Sequence, residues 1–172
     1  ELLVYDDGSR DDSPHLVAAL QAEVPQITLR RQRNMGHGPT VLRGYREAHG
    51  EWIFQADSDG EVAPSSFRAL WDVRHDHDFI LGARQQRRSP VLRQLVTLGS
   101  RLTVRALFGV TIQDVNTPFR LMRRTSLAPL LERLPDDCFA PNVALVGLAA
   151  WSGLRVQTVP VIHRGRASRR GS

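Results

Sequence analysis

Short apolar runs alternate with longer segments of mixed polarity through the first half of the chain. This pattern predicts strands at 2–5, 27–31 and 51–56, and the segments between them predict helices at 13–23 and 38–49. Ser13 and Pro14 would supply the N-cap and the first-turn proline of the first helix. This strand–helix order is typical of a mostly parallel sheet with helices on both faces, so we expect a three-layer α/β fold.

The second half of the chain is less regular. The pattern predicts a helix at 64–74, strands at 78–81, 110–113, 119–122 and 155–161, and helices at 126–134 and 142–151. Between them, the 90–108 segment spaces apolar residues with arginines, as in an amphipathic helix that faces either the core or a membrane surface. With 172 residues, no internal repeat and no linker, the chain is expected to form one domain over 1–172.

Two aspartates follow the third predicted strand, in the segment Asp57-Ser58-Asp59. Side chains two residues apart on an extended backbone point the same way, so both carboxylates could bind one divalent cation. Hard oxygen ligands suit Mg²⁺ or Mn²⁺, and Glu61 could be a third ligand. The same residues with Gly60 also form ordinary turns, so the motif alone leaves both interpretations open.

A second acidic turn, Asp6-Asp7, follows the first predicted strand. In open α/β sheets, ligands bind beyond the carboxyl ends of the strands. We therefore expect this turn and the Asp57 turn to meet at one edge of the sheet and to line a cleft.

Composition excludes fewer classes of function than the acidic turns do. The net charge is +5, and all 23 basic residues are arginine, which reflects either phosphate recognition or the base composition of the genome. Cys138 is the only cysteine, so the chain can form no intramolecular disulfide, which suits a reducing compartment. No apolar run is long enough to span a membrane and no secretory signal is present, so we expect a cytoplasmic protein that contacts the inner face of the cell membrane peripherally.

Six segments, taken in order, resemble the family 2 glycosyltransferases, and within them the dolichyl- or polyprenyl-phosphate sugar transferases. They are VYDDGSRDDS, NMGHGPTVLRGYREAHGEWI, QADSDGE, FILGAR, QDVNTPFRLMRR and GLRVQTVPVIHRGRASRRGS. The resemblance implies a GT-A fold and a metal-dependent, inverting transfer of sugar from a nucleotide donor to an acceptor. It also implies that a first strand of the family pattern should precede Glu1.

The resemblance assigns the donor side of the site. Asp6 and Asp7 would bind the nucleobase of a UDP- or GDP-linked sugar, because a carboxylate accepts hydrogen bonds from the N–H groups of uracil or guanine. Gly36 lies in a glycine-containing loop that would border the nucleotide. Asp57 and Asp59 would hold Mg²⁺ or Mn²⁺ against the diphosphate, and Glu61 falls where relatives often have a metal-assisting glutamine.

The acceptor side follows in the same way. Arg84 and Arg120 match arginines that contact phosphate groups, and Arg164 and Arg166 match a basic loop that closes over the diphosphate, although a solvated tail is an equal alternative. Asp114 would act as general base if the acceptor is a sugar or lipid hydroxyl. A lipid-phosphate acceptor is already an oxyanion and needs no base, so Asp114 would then only position groups.

Two other functions remain open at this point. A haloacid dehalogenase-type phosphatase also uses an Asp-x-Asp-Gly loop, but that loop normally opens its domain, whereas here it follows two strand–helix units. A basic nucleic-acid-binding module would account for the arginine clusters but not for the aligned acidic residues. We expect no nucleic-acid partner.

Overall fold

The computed structural model describes residues 1–84 and 114–162. The helices and strands follow the predicted order: β1 Leu2–Asp6, α1 Ser13–Glu23, β2 Ile27–Arg31, α2 His37–Glu47, β3 Trp52–Gln55, α3 Phe67–Asp72, β4 Phe79–Arg84, β5 Arg120–Arg123, α4 Arg124–Leu131, α5 Pro141–Trp151 and β6 Val156–Val161.

The predicted helix at 64–74 is interrupted, which is the main difference from the expected elements. Only Phe67–Asp72 is α-helical, with the short 3₁₀ turns Pro64–Ser66 and Arg74–Asp76 on either side. Arg74 donates a 2.7 Å hydrogen bond to the carbonyl of Trp71, and its guanidinium lies 3.9 Å from the centre of the Trp71 ring. These contacts satisfy a carbonyl at the end of α3 and help to end the helix there.

The described strands form one four-stranded sheet in the order β3-β5-β4-β6 and one parallel pair, β1-β2. Strand β5 runs antiparallel to both β3 and β4, whereas β4 and β6 are parallel. The predicted α/β fold is therefore confirmed, and its four-stranded sheet is mixed, with antiparallel pairs that come from β5 alone. Among the described strands, β1 and β3 share no ladder.

Alternate residues of the sheet strands pack into opposite layers. Phe79 and Met122 belong to a core cluster with residues of α2, α4 and α5. Their neighbours Ile80 and Leu121 pack with Leu70 of α3 in a second cluster. Because side chains of a strand alternate between faces, these two clusters place helices on both sides of the sheet and confirm the three-layer arrangement.

Some predictions fall on parts of the chain outside the described residues. These are the amphipathic 90–108 segment, the strand at 110–113, and the two tail arginines Arg164 and Arg166. The side chain of Arg84, which ends β4, is also outside them. Within 1–84 and 114–162, no helix has the length and apolar character needed to cross a membrane.

Candidate functional site

A cavity of about 230 Å³ opens where the loop after β3 faces the turn before β5 and the start of α2. Its lining residues come from all three segments: His37, Ala56, Asp57, Asp59, Glu61, Val62, Asn116, Pro118 and Phe119. Three of them are carboxylates, and all three follow a single strand. The structure therefore brings the three acidic residues singled out in the sequence together at this cavity.

The acidic loop owes its shape to short-range contacts. Gly60 has a φ of +71°, a conformation that glycine adopts at little cost, and Asp59 Oδ1 accepts a 3.0 Å hydrogen bond from the backbone N–H of Glu61. Asp57 and Asp59 are exposed, and Glu61 is half-buried. The turn that the sequence predicts is therefore present, and it presents both aspartates to the cavity.

The donor atoms of this cavity suit a hard divalent cation, because they are carboxylate oxygens. In the described part of the chain, however, no group of three or more His, Cys, Asp or Glu residues is arranged to hold a metal ion. Asp57, Asp59 and Glu61 thus do not form a ready three-ligand site. Such an arrangement fits Mg²⁺ or Mn²⁺ bound by one or two carboxylates, with substrate phosphates and water completing its coordination.

Asp7 is held by the loop that leads into α2. Its Oδ1 accepts hydrogen bonds of 2.8 Å from Gln32 Nε2 and from the Met35 backbone N–H, and its Oδ2 accepts one of 3.0 Å from the Gly36 N–H. Burial raises the pKa of Asp7, but the hydrogen bonds from Gln32 and Met35 outweigh it and leave the pKa below its usual value. Asp7 is therefore an ionised acceptor at neutral pH.

Asp7 does not itself line the cavity, but the loop that it holds continues directly into His37, which does. The loop at 34–37 thus connects the Asp7 turn to this cavity, while β1 and β3, the strands that precede the two acidic turns, lie in separate described sheets. Gly36, assigned to the nucleotide border, lies between Asp7 and His37: its N–H donates to Asp7, and its φ is +88°.

Asp6 points into its own turn. The side chain is 8% exposed; Oδ1 accepts from the Ser9 N–H at 2.9 Å, and Oδ2 lies 3.5 Å from Arg31 Nε. Hydrogen bonds from Ser9, with the charge of Arg31, lower the pKa of the Asp6 carboxyl. In this structure Asp6 shapes the turn that presents Asp7.

The start of α2 is pressed against the loop before α5. A Cβ atom placed on Gly38 would lie 2.3 Å from the carbonyl oxygen of Cys138 and 2.6 Å from that of Phe139. Only glycine fits at that distance, since backbone oxygens on another segment cannot give way cheaply. This close approach positions His37 at the cavity.

The turn before β5 carries the acceptor-side candidate Asp114. Asp114 has a φ of +51°, the only positive φ of a non-glycine residue in the described chain. A backbone N–H···O bond of 2.9 Å from Thr117 to the Asp114 carbonyl closes the turn, and Thr117 Oγ1 donates 2.8 Å to the Gly82 carbonyl. Asn116 and Pro118 of this turn line the cavity; Asp114 does not.

Arg120 lies beneath this turn with no exposed surface. Its guanidinium donates to backbone carbonyls of Thr117, Val115 and Asn142, with distances of 2.9 Å from Nε to Thr117 and 3.1 Å from Nη1 to Asn142. Burial lowers the pKa of Arg120, while the charges of Tyr45, Asp114 and Asp57 oppose that shift. The structure therefore places this predicted phosphate ligand as a support of the Asp114 turn, with its donors directed at backbone oxygens.

A buried polar contact links α2 to α5 and to the strand that precedes the acidic loop. Tyr45 donates a 2.8 Å hydrogen bond to Asn142 Oδ1 and also contacts Gln55 Oε1. Burial raises the pKa of the Tyr45 hydroxyl, which therefore stays protonated. Asn142 in turn offers its backbone carbonyl to Arg120, so the acidic loop and the Asp114 turn share one support.

Sequence reasoning missed two of the cavity's polar residues. His37 and Asn116 line the cavity, but the sequence analysis assigned neither of them a role. The positions of both depend on contacts between distant segments. The signal in the sequence was their nearness to predicted site residues: His37 follows Gly36 directly, and Asn116 is two positions after Asp114.

A sequence model described as "Glycosyl transferase family 2" matches residues 1–131. The chain is 26% identical over 147 residues to the undecaprenyl-phosphate 4-deoxy-4-formamido-L-arabinose transferase of Pseudomonas syringae, covering 84% of this chain and 44% of that protein. It is 24% identical over 176 residues to the dolichyl-phosphate beta-glucosyltransferase of Dictyostelium discoideum, covering 94% and 54%. The chain thus spans about half the length of these relatives.

The fold resembles that of glucosyl-3-phosphoglycerate synthase from Mycobacterium tuberculosis, crystallised with Mn²⁺, UDP-glucose and phosphoglyceric acid. The two share a TM-score of 0.67 at 18% identity, over 96% of this chain and 61% of that one. At this identity, the likeness establishes the fold and leaves the ligands of this chain to be argued from its own residues.

Proposed function

Because the chain belongs to glycosyl transferase family 2, we propose that it transfers a sugar from a nucleotide-diphosphate sugar to an acceptor, and that the acceptor is a polyprenyl or dolichyl phosphate. The observation that carries the proposal is the cavity in which Asp57, Asp59 and Glu61 face the start of α2. Neither a phosphatase nor a nucleic-acid module is supported by the family match.

On the donor side, Asp57 and Asp59 would hold Mg²⁺ or Mn²⁺, with Glu61 beside them. The bound cation would neutralise the diphosphate and the charge that builds on it as it leaves. Asp7 would accept a hydrogen bond from the nucleobase. The start of α2 at His37 presents backbone N–H groups near the same cavity, which favours a bound anion.

On the acceptor side, the transfer is proposed to invert the anomeric configuration. The acceptor oxygen attacks the anomeric carbon from the face opposite the diphosphate, forming one C–O bond while the bond to the diphosphate oxygen breaks and its electron pair leaves with the diphosphate. A phosphate oxyanion needs no deprotonation, so this acceptor requires no general base. The proposed role of the turn at Asp114 and Asn116 is then to position the acceptor. The protein's contribution is then orientation and electrostatics.

The acceptor class and a peripheral membrane contact are inferred from the kinds of relatives that the chain matches. Both curated relatives are named for sugar transfer to or from lipid phosphates, undecaprenyl phosphate in one and dolichyl phosphate in the other. Arg84, Arg164 and Arg166 remain proposed phosphate contacts, as the family resemblance implied, and their side chains fall outside the described residues.

The test is thermal stabilisation by nucleoside diphosphates, with and without Mn²⁺ or Mg²⁺. We expect UDP or GDP to raise Tm only when the cation is present, and Asp59→Asn to abolish that shift. Asp72→Asn is a matched control, because Asp72 is an exposed aspartate that pairs with Arg68 on α3. A cation-independent shift, or a shift that survives Asp59→Asn, would contradict the metal-dependent assignment.

Transfer itself is checked with radiolabelled nucleotide-sugars and polyprenyl phosphate in detergent, with the product anomer read by NMR. Retention of the donor's anomeric configuration would rule out direct displacement. Transfer to a sugar hydroxyl but never to the lipid phosphate would replace the proposed acceptor class.

A further inference from the structure

Two exposed charges lie at the ends of helix α4, each at the end where the helix dipole opposes it. Arg124 is the first residue of the helix and Glu132 is its C-cap; the first turn has no acidic residue and the last turn no basic one. The N-terminal end of a helix carries partial positive charge and the C-terminal end partial negative charge. Helix stability therefore does not account for either side chain.

Contacts within the chain do not account for them either. In the described part of the chain, the Arg124 guanidinium and the Glu132 carboxylate make no hydrogen bond or ion pair. They are eight positions apart, about 12 Å along the helix axis, which is too far for them to pair with each other. The preceding Arg123, in contrast, lies 3.6 Å from Glu51 and 4.4 Å from the centre of the Trp52 ring.

Both charges line a groove of about 310 Å³ between α4 and the end of α2. Three buried apolar side chains and two alanines also line it: Ile53, Leu127, Leu131, Ala48 and Ala128. Ala128 is exposed and lies midway between Arg124 and Glu132, so the three residues share one face of the helix, here called the α4 face. A small side chain at the centre of such a face lets another helix approach closely.

We propose that the α4 face is a contact surface between two copies of this chain, packed antiparallel about a two-fold axis at Ala128. A two-fold contact uses the same surface on both copies. Arg124 then faces the partner's Glu132, and Glu132 faces the partner's Arg124. Each charge also comes to lie beside the end of the other helix whose dipole attracts it, the arginine at the C-terminal end and the glutamate at the N-terminal end.

The order of charges favours a second copy over other occupants of this face. Arginine, alanine and glutamate read in reverse give the complementary order, so the face matches itself when antiparallel. An anionic membrane or a nucleic acid would attract Arg124 but repel Glu132. Because α4 has eight residues, the contact is small, and interfaces that bury less than about 1,200 Å² are weak. We therefore expect a dimer Kd between about 10 μM and 1 mM.

The α4 face is remote from the acidic cavity. Arg123, directly before α4, pairs with Trp52 at the start of β3, whereas Asp57 follows the end of that strand at Gln55. The helix therefore begins at the edge of the sheet opposite the acidic loop. This inference does not rest on the proposed function, and its failure would leave that proposal unchanged.

The experiment is sedimentation equilibrium of the chain over protein concentrations that span this Kd range. Arg124→Glu would place a glutamate opposite the partner's Glu132, and Glu132→Arg would place an arginine opposite the partner's Arg124. We expect each change to raise the dimer Kd at least about tenfold, since two attractive contacts become two repulsive ones. Neither should lower Tm, because each replaces a charge that the helix dipole disfavours with one that it favours.

Reciprocal pairing makes a further demand that a nonspecific charge effect would not meet. An equimolar mixture of Arg124→Glu and Glu132→Arg should dimerise about as well as the unmodified chain, because every contact between the two variants is attractive. The double variant Arg124→Glu/Glu132→Arg should also dimerise with itself. The controls are Arg68→Glu on α3 and Glu23→Arg on α1, which make the same changes in net charge at other exposed positions and should leave the Kd unchanged.

Three outcomes would overturn the inference. The first is an unmodified chain that stays monomeric up to millimolar concentration. The second is a dimer whose Kd does not respond to Arg124→Glu or Glu132→Arg, which would place the contact on another surface. The third is weakening by both variants without recovery in the mixture and in the double variant, which would exclude the two-fold pairing of these residues.

Discussion

Arg120 Nε donates a 2.9 Å hydrogen bond to the backbone carbonyl of Thr117, three residues earlier in the chain, and the arginine has no exposed surface. Thr117 belongs to the turn that begins at Asp114, whose φ of +51° is unfavourable for a residue with a side chain. A buried cation thus holds a strained turn at the edge of the cavity.

Replacing Arg120 should therefore destabilise this turn and lower the free energy of unfolding. Arg120→Met leaves the carbonyls of Thr117, Val115 and Asn142 without their donor, and we expect a loss of about 2–4 kcal/mol in the free energy of unfolding. Urea denaturation of the variant and the unmodified chain measures this difference in the free energy of unfolding. Exposed Arg68, which pairs with Asp72 on α3, is the control: Arg68→Met should cost less than about 1 kcal/mol. Equal costs would mean that the buried contacts contribute little.

Asp114→Asn tests whether the carboxylate acts as a base. Asparagine tolerates a positive φ as well as aspartate does, so the turn should survive. With a phosphate acceptor we expect kcat to fall less than about tenfold, because no proton must be removed. Loss of a general base would cost about 10²- to 10⁴-fold. Steady-state kinetics with polyprenyl phosphate distinguish the two roles. A fall in kcat of about 10²-fold or more would assign Asp114 as the general base.

Gly38→Ala should destabilise the start of α2. The new Cβ would lie 2.3 Å from the Cys138 carbonyl oxygen, so the helix or the 138–139 loop must move, at about 1–3 kcal/mol. Gly44→Ala in the same helix is the control, since its nearest neighbour is the Tyr5 ring at 3.3 Å. Thermal unfolding should show a clearly lower Tm for Gly38→Ala than for Gly44→Ala.

Glu47 should make the free energy of unfolding depend on pH in the acidic range. Hydrogen bonds from Arg43 and Tyr5 lower its pKa from 4.5 to about 2. A carboxyl with a lowered pKa stabilises the fold above its ordinary value, and that stabilisation is lost as pH falls towards the folded value. Unfolding free energies measured between pH 4.5 and pH 2 should therefore drop in the unmodified chain, with a shallower drop in Glu47→Gln. If the unfolding free energy fell equally with pH in the unmodified chain and in Glu47→Gln, Glu47 would not be the source of the acid sensitivity.

Local sequence patterns determined the order of strands and helices and the position of the acidic loops. Strand β2 was predicted with its observed bounds, Ile27–Arg31, because the alternation of Ile27 and Leu29 with polar residues is a local pattern that needs no distant contact to be recognised. Asp57 and Asp59 were found for the same reason. A strand end followed by Asp, Ser and Gly is a local feature that is visible without any distant contact.

Only the tertiary structure decided which polar groups support that edge. Arg120 stands in the chain like any other arginine, and its burial follows from carbonyls supplied by the turn at 115–117 and by α5. The partners Tyr45 and Asn142 are 97 positions apart. The sequence gives no register for such contacts, because they depend on how whole layers pack. For the same reason the sequence could not show that Asp7 accepts hydrogen bonds from Gln32 and Met35.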